Sequence, residues 1–243
     1  MYTTINYSIN FEKRKRKPKD IKFIIFHYTG MKKEFEAIKR LTTEKSKVSC
    51  HYFIKQSGEI ISLVPDLYVA WHAGISSWKN YLSINKYSIG IEISNPGHEN
   101  KYTDFTKKQI YSILKLSKFL KKKYKIKSNF FLGHSDISPN RKKDPGEKFP
   151  WKYLSKQNIG HWHNLKLKNL VKNRNQKLND SDKKDFMQNV YKIGYSKNLK
   201  KKNNNYSKIL IIAFQRRFRQ ELINGIIDKE CLLISKNLVK KFK

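Results

Sequence analysis

The sequence predicts an α/β protein with a mixed central β-sheet flanked by helices, followed by a small C-terminal three-helix domain. Three observations lead to this prediction. Short apolar runs rich in β-branched and aromatic residues alternate with helix-like segments over about the first 165 residues. A long amphipathic segment lies among them, at 106–126. Beyond about residue 165 the chain becomes polar and charged, and three helix-like pieces follow.

The first strand and helix are predicted near the N-terminus. The run IKFIIFHYTG at 21–30 ends in a Thr-Gly turn and indicates a buried strand with His27 at its C-terminal end. The segment EFEAIKRLTTE at 34–44 favours a helix. Residues 49–65 contain two strand-like runs around Gln56-Ser57-Gly58, so they predict a hairpin.

The middle of the chain continues the alternation. YSIGIEISNPG at 87–97 predicts a strand that contains Glu92 and ends in a turn. Residues 106–126 predict a helix, because apolar side chains recur at helical spacing with lysines opposite. NFFLGHSD at 129–136 predicts another short strand, which delivers His134.

The segment GHSDISPNRKKDPGEKFPW at 133–151 predicts a loop, because Gly146 and three prolines interrupt it. A long loop without structure of its own is usually functional or disordered. This one carries His134, Lys142 and Asp144, and Phe149 and Trp151 are expected to bury its far end.

Three units are predicted along the chain: a catalytic domain at 1–165, a linker at 166–180 and a helical domain at 181–243. Ser181 or Asp182 is the expected cap of the first C-terminal helix, and Asp228 that of the last.

Composition excludes several classes of protein. The longest apolar run, Ile209 to Phe214, is far too short to span a bilayer. The two cysteines, Cys50 and Cys231, cannot form a disulfide framework and are expected in the core. The 53 Lys+Arg against 19 Asp+Glu give a net charge of +34. That charge suits either a polyanionic partner or a general bias towards lysine, and its even spread without a nucleic-acid module favours the bias.

Two histidines at strand ends suggest a metal centre. A hydrolytic zinc site needs three protein ligands and an open position for water. His27 and His134 can meet if their strands are adjacent in one sheet, and Asp144 on the loop can supply the third ligand. We expect one zinc ion per chain. His161 and His163 in GHWHN do not predict a second metal site, because no third ligand is apparent.

Five stretches occur in a specific order: FHYTG, SCHYFI…GEI, AWHAG, SIGIEISNPG and GHSDISPNRKKDPGEKFPW. With them, roughly residues 15 to 165 resemble the zinc-dependent N-acetylmuramoyl-L-alanine amidases of the type-2 amidase family. That family shares its fold with phage T7 lysozyme-type amidases and peptidoglycan recognition proteins. The C-terminal pieces are similar to a small helical peptidoglycan-binding domain.

The resemblance implies a role for each matching residue. It implies that zinc is held by His27, His134 and Asp144. It implies that Glu92 and Lys142 are catalytic, whereas the periodicity around Glu92 leaves open whether that side chain faces a cleft or an exposed edge. It also implies that His51 and His72 line the substrate groove.

The implied activity is hydrolysis of the amide between N-acetylmuramic acid and L-alanine, in peptidoglycan or muropeptide fragments. The alternative is a non-catalytic peptidoglycan-recognition protein, which is expected to lack one of the ligands. A specific nucleic-acid partner has only bulk charge in its favour.

The N-terminus shows no apolar leader segment, so a cytoplasmic location is expected, with the periplasm or cell envelope as the alternative. The oligomeric state, the stem-peptide preference and the form of the muramic acid are left open.

Overall fold

The computed structural model describes residues 4–197 and 205–241 of the chain. The strands among these residues are β1 (Thr4–Ile5), β2 (Phe11–Glu12), β3 (Phe23–Tyr28), β4 (Tyr52–Ile54), β5 (Ile60–Ser62), β6 (Val69–Ala70), β7 (Ser77–Trp78), β8 (Tyr81–Leu82), β9 (Ser88–Ile93) and β10 (Phe131–Gly133). The α-helices are α1 (Glu34–Thr42), α2 (Lys107–Tyr124), α3 (His134–Ile137), α4 (Trp151–Lys156), α5 (Leu167–Asn173), α6 (Asp180–Ile193), α7 (Tyr206–Phe218) and α8 (Lys229–Lys241).

Six of these strands form one mixed sheet in the order β1-β5-β4-β9-β3-β10. Four of its pairings are parallel: β1 with β5, β4 with β9, β9 with β3, and β3 with the edge strand β10. The β4–β5 hairpin is antiparallel, as its sequence predicts. Parallel strands present their carboxyl ends at one edge of a sheet, so the ends of β3, β9 and β10 lie side by side.

Helices cover both faces of the sheet. On one face, the apolar side of α2 packs with α4 against alternate residues of β3 such as Ile24 and Phe26. On the opposite face, α1 packs over Phe53 and Ile61. The same β3 strand directs Phe23 and Ile25 towards this second face, as strand alternation requires. The fold class is therefore as the sequence predicts.

The C-terminal helices share a buried core with the sheet. Phe23, Ile25 and Leu132 of the sheet lie in one apolar cluster with Phe186 of α6 and Phe214 of α7. Buried side chains of α5 and α8 complete the cluster. The helical part thus forms a layer on the second face of the sheet.

Two local predictions were wrong. The segment 133–151 is not loop throughout, because α3 occupies its start, with Asp136 accepting a hydrogen bond from the Gly133 amide at 2.8 Å. The cap of α6 is Asn179, whose side chain accepts from the Asp182 amide, and not Ser181 or Asp182. The cap of α8 is Asp228, as predicted, since its carboxylate accepts from the Cys231 amide at 2.9 Å.

The division into units at 1–165, 166–180 and 181–243 stays a prediction, and residues 1–3, 198–204 and 242–243 of these ranges lie outside the described residues. The interval 166–180 contains α5, whose Leu170 is buried in the shared core. None of the helices in the described part of the chain is long and apolar enough to cross a membrane.

Candidate active site

The site begins with two residues on neighbouring strands. His27 on β3 and Glu92 on β9 are directly paired in the parallel register. Paired residues of adjacent strands point to the same face, so the imidazole and the carboxylate lie next to each other near the carboxyl ends of their strands. Glu92 therefore faces a cleft, which decides between the two orientations that periodicity allows.

The loop after β10 adds the other two candidate ligands. β10 pairs with β3 on the side away from β9, and His134 follows β10 immediately as the first residue of α3. The Ser135 amide donates to the Asp144 carbonyl at 2.8 Å, which folds the loop back so that Asp144 lies beside His134. Gly133 permits this approach, because a Cβ there would lie only 2.6 Å from Pro145 Cδ. Phe149 and Trp151 bury the end of the loop, as predicted.

Three ligand atoms converge at this point. His27 Nδ1 lies 2.9 Å from His134 Nδ1 and 3.0 Å from Asp144 Oδ2, and the latter two atoms are 3.1 Å apart. All three residues are buried. Among the described residues they are a group that could hold a metal ion, and we call them the metal-binding group.

The proton on His27 can be traced through its neighbours. The Ser88 hydroxyl donates to the Ile84 carbonyl at 2.7 Å, so Ser88 Oγ must accept from His72 Nε2, 3.0 Å away. A neutral His72 then has a free lone pair on Nδ1, which accepts from His27 Nε2 at 3.0 Å. Neutral His27 therefore carries its proton on Nε2 and presents a lone pair at Nδ1.

His134 presents a lone pair in the same way. Its Nε2 donates to the Ala73 carbonyl at 3.1 Å, which leaves Nδ1 of the neutral ring unprotonated. With the Asp144 carboxylate, three electron-rich atoms face one another without a proton between them. Such an arrangement is repulsive unless a cation lies at its centre.

The donor set fits a divalent metal. Two imidazole nitrogens and a carboxylate oxygen are ligands that zinc takes in hydrolytic sites. Ligand atoms at zinc distances in a tetrahedron lie about 3.3 Å apart, so the three atoms here need to separate by only a few tenths of an ångström.

The surroundings of these groups favour the protonation states that a metal needs. Burial, together with the neighbouring His134, lowers the pKa of His27 to about 4, so its ring is neutral at pH 7. Burial by itself raises the pKa of Asp144, but His134 and His27 outweigh it and hold that pKa below its usual range. Asp144 is therefore ionised and His27 unprotonated at Nδ1 near neutral pH.

Glu92 has an environment suited to proton transfer. Burial, and then the negative charge of Asp144, raise its pKa to about 8, while Lys142 and Arg40 act in the opposite direction. A carboxyl group whose pKa lies near neutral pH can both accept and release a proton during a reaction.

A cleft of about 350 Å³ opens over these residues. It is lined by the metal-binding group, by Glu92 and Lys142, and by Trp71, Arg40 and Glu99 at its sides. The sequence thus brings five of the predicted site residues together: His27, Glu92, His134, Lys142 and Asp144.

The two predicted groove residues differ in position, since His72 lines the cleft and His51 does not. His51 is completely buried, with Nδ1 accepting from the Gly90 amide and Nε2 3.0 Å from the Tyr68 carbonyl. Its predicted contact with substrate has no support from this geometry. His72 lines the cleft, but both of its ring nitrogens are engaged by His27 and Ser88.

His72 thus occupies the position of a residue that orients a metal ligand. Gly90 makes room for its ring, because a Cβ at that position would lie 2.4 Å from His72 Cγ. The sequence does not indicate this role. Its one signal is that the AWHAG motif lies shortly before SIGIE along the chain.

We expect His72→Phe to lower zinc affinity about 10–100-fold, because residues that hold a ligand in its tautomer are typically worth that much. Chelator competition with the full chain measures this. His163→Phe is the matched control, since His163 lies in a separate cavity with Trp162. Equal zinc affinity in His72→Phe and the unchanged chain would contradict the orienting role.

His161 and His163 belong to no group of metal ligands within residues 4–197 and 205–241. Both line a second cavity of about 490 Å³ beside α8, together with lysines and Trp162.

Comparison with known proteins agrees with this geometry. A profile of the family described as N-acetylmuramoyl-L-alanine amidase matches residues 17–147. The chain is 32% identical over 234 residues to the N-acetylmuramoyl-L-alanine amidase AmiD of Escherichia coli (strain K12), covering 91% of this chain and 83% of AmiD. It is 34% identical to the 1,6-anhydro-N-acetylmuramyl-L-alanine amidase AmpD of Haemophilus influenzae, over 61% of this chain and 88% of AmpD.

Solved structures extend the likeness over the whole chain. E. coli AmiD in complex with anhydro-N-acetylmuramic acid-L-Ala-D-γ-Glu-L-Lys superposes with a TM-score of 0.81 at 31% identity, covering 95% of this chain and 93% of AmiD. AmpDh3 of Pseudomonas aeruginosa in complex with an anhydromuramic pentapeptide has a TM-score of 0.80 at 29% identity, covering 98% of each chain.

Proposed function

The chain belongs to the family of N-acetylmuramoyl-L-alanine amidases, and we propose that it hydrolyses the amide between muramic acid and L-alanine in muropeptides with one zinc ion held by His27, His134 and Asp144. The observation that carries this proposal is the convergence of three buried, proton-free ligand atoms beside Glu92. Bound zinc supplies Lewis-acid chemistry, which acidifies water towards neutral pH and polarises a carbonyl.

Glu92 is the proposed general base and acid. Its carboxylate accepts a proton from the attacking water as the new C–O bond forms at the amide carbon. It then donates that proton to the alanine nitrogen as the C–N bond breaks, so the products are a carboxylic acid and a free amine. The positive charge of the metal, with Lys142 and Arg40, favours the ionised carboxylate that the first step needs.

Lys142 is the proposed stabiliser of the oxyanion. It lines the same cleft as Glu92, and it lies two residues before Asp144 on the loop that follows α3. Its backbone amide donates to the Ser138 carbonyl at 3.1 Å, which fixes the turn that carries it. A fixed cation facing the tetrahedral intermediate counts for more in a partly enclosed cleft than in water.

The substrate class follows from the relatives and from the charge of the cleft. The AmiD and AmpDh3 structures hold anhydromuramyl peptides. A γ-linked glutamate, as in the AmiD ligand, keeps a free α-carboxylate. Arg40 on α1 and Lys143 on the loop line the cleft and can attract that charge. We propose acidic muropeptide fragments as the substrate of this chain.

Incubation of the purified chain with an anhydromuramyl peptide tests the function. We expect release of free peptide, which a chelator stops and added zinc restores, because the proposed reaction needs the Lewis-acid chemistry of the bound metal. Binding of the peptide without any release would instead support the alternative of a recognition protein.

For residues 181–243 we propose a role in holding larger wall fragments, which co-sedimentation of the full chain with insoluble sacculi tests. The cytoplasmic location expected from the sequence stays a prediction, and fractionation of cells producing the full chain tests it.

A further inference from the structure

A buried carboxylate lies two residues after the candidate metal ligand His134. Asp136 is 1% exposed, and it belongs to α3, the four-residue helix that His134 begins. Its Oδ2 accepts from the Gly133 amide at 2.8 Å. The Asp136 carboxylate thereby joins the residues on both sides of His134.

The partners of Asp136 come from the C-terminal helices. The guanidinium of Arg217, on α7, donates to Asp136 Oδ2, and the hydroxyl of Tyr195, just after α6, donates to Oδ1 at 2.7 Å. Arg217 and Tyr195 are 3% and 2% exposed, so this charge pair is shielded from water. Both oxygens of Asp136 and both terminal nitrogens of Arg217 are hydrogen-bonded, and losing one partner of a buried ion pair leaves an uncompensated charge.

Arg217 also holds the strand and the loop on either side of α3. Its second terminal nitrogen donates to the Phe131 carbonyl on β10 at 3.0 Å. Its guanidinium lies over the Trp151 ring at 3.8 Å from the ring centroid, at the end of the loop that carries Asp144. Gln220, just after α7, donates to the Phe149 carbonyl at 2.8 Å.

We propose that Arg217 and Tyr195 are positioning residues of the metal centre, which act through Asp136 to hold His134 in place. The inference rests on the proposed role of His134 as a ligand. Metal–ligand distances are expected to stay within about 0.2 Å of their usual values, so a change in the first turn of α3 weakens the site without removing a ligand. The C-terminal helices then support the metal centre directly, in addition to packing against the sheet.

The test compares two buried arginines, Arg217 and Arg219, which lie at the C-terminal end of α7. Arg217→Gln removes the contacts to Asp136 and Phe131. Arg219→Gln is the matched control, because Arg219 is equally buried and its described partners, including Asp228 and Asn224, all lie in the C-terminal part. For both variants of the full chain, zinc affinity by chelator competition, the absorption spectrum of the cobalt-substituted protein and the thermal unfolding midpoint are measured.

We expect Arg217→Gln to lower zinc affinity about 10-fold or more and to alter the cobalt spectrum. Arg219→Gln is expected to lower the unfolding midpoint while keeping the affinity and the spectrum of the unchanged chain. Equal zinc affinity in the two folded variants overturns the proposal. If the unchanged chain itself binds no zinc, the proposed metal site fails first, and the two failures are thereby distinguished.

A milder variant keeps the test open if Arg217→Gln does not accumulate as folded protein. Tyr195→Phe removes one hydroxyl and keeps the ring against Trp78, whose centroid lies 4.9 Å away. A loss of zinc affinity of about threefold supports the proposal. An affinity equal to that of the unchanged chain overturns it.

Discussion

Asp144→Ala is expected to abolish zinc binding at micromolar metal and to reduce amidase activity by at least about 10³-fold. Asp144 supplies the only charged member of the metal-binding group, and its loss leaves two neutral imidazoles. A metal ion typically contributes several kcal/mol to the stabilisation of the transition state, and each 1.36 kcal/mol is about tenfold in rate.

The fold is expected to survive this substitution. The contact that folds the loop back is made by the Asp144 carbonyl with the Ser135 amide, and alanine keeps it. Asp104→Ala is the matched control, since Asp104 lies on the surface and forms an exposed ion pair with Lys148 at 3.6 Å. Elemental analysis and circular dichroism of both variants provide the measurements. Equal zinc content in Asp144→Ala and Asp104→Ala would mean that Asp144 is not a ligand.

Glu92→Gln is expected to lower kcat by about 10²–10⁴-fold while zinc stays bound, because general acid–base catalysis is typically worth that much. The glutamine keeps the shape of the side chain beside His27 but can neither accept nor release the proton. Because Glu92 is not among the three converging ligands, metal content should remain at one zinc per chain.

Removing a carboxylate near zinc also changes the local field, so a second charge-removing variant is needed. Glu99→Gln lines the same cleft but is exposed and paired with Lys143 at 3.5 Å. It should keep nearly all of the activity. A Glu92→Gln enzyme with a near-normal kcat, or one that has lost its zinc, would be inconsistent with the proposed role.

Much of the fold can be predicted from the sequence, because local patterns determine it. The apolar run before His27 and the alternation around Glu92 each specify a buried strand, and the α2 segment has one clear apolar face. The boundaries are harder. The four residues of α3 were predicted as loop, because the helix depends on capping by Asp136 and on contacts from α7.

The five residues of the candidate site could be found because they lie in contiguous motifs. His51 and His72 lie in motifs of the same kind, yet the structure buries His51 and directs both nitrogens of His72 to protein partners. Sequence shows that a histidine is present, but not which of its nitrogens is engaged. For His72 that depends on Ser88, 16 residues away, and for His51 on Gly90, 39 residues away.

The contact of the C-terminal helices with the residues around His134 could not be predicted from the sequence. Arg217 and Asp136 are 81 residues apart, and a charged residue in a helix-like segment usually lies on the surface. The polar texture after residue 165 favoured separate units, whereas the apolar cluster around Phe214 joins them. Long-range packing of this kind depends on the tertiary structure and leaves no local pattern.

We propose that this chain cuts one particular amide by hydrolysis with a metal held at His27, His134 and Asp144. Digestion of an anhydromuramyl peptide in ¹⁸O-labelled water, followed by mass spectrometry, tests it most directly. We expect a free peptide with an N-terminal L-alanine and an intact sugar whose lactyl carboxylate carries one ¹⁸O atom, with both products absent when a chelator is present. Cleavage within the glycan or the peptide, or unchanged product formation in the chelator, would contradict the proposed reaction.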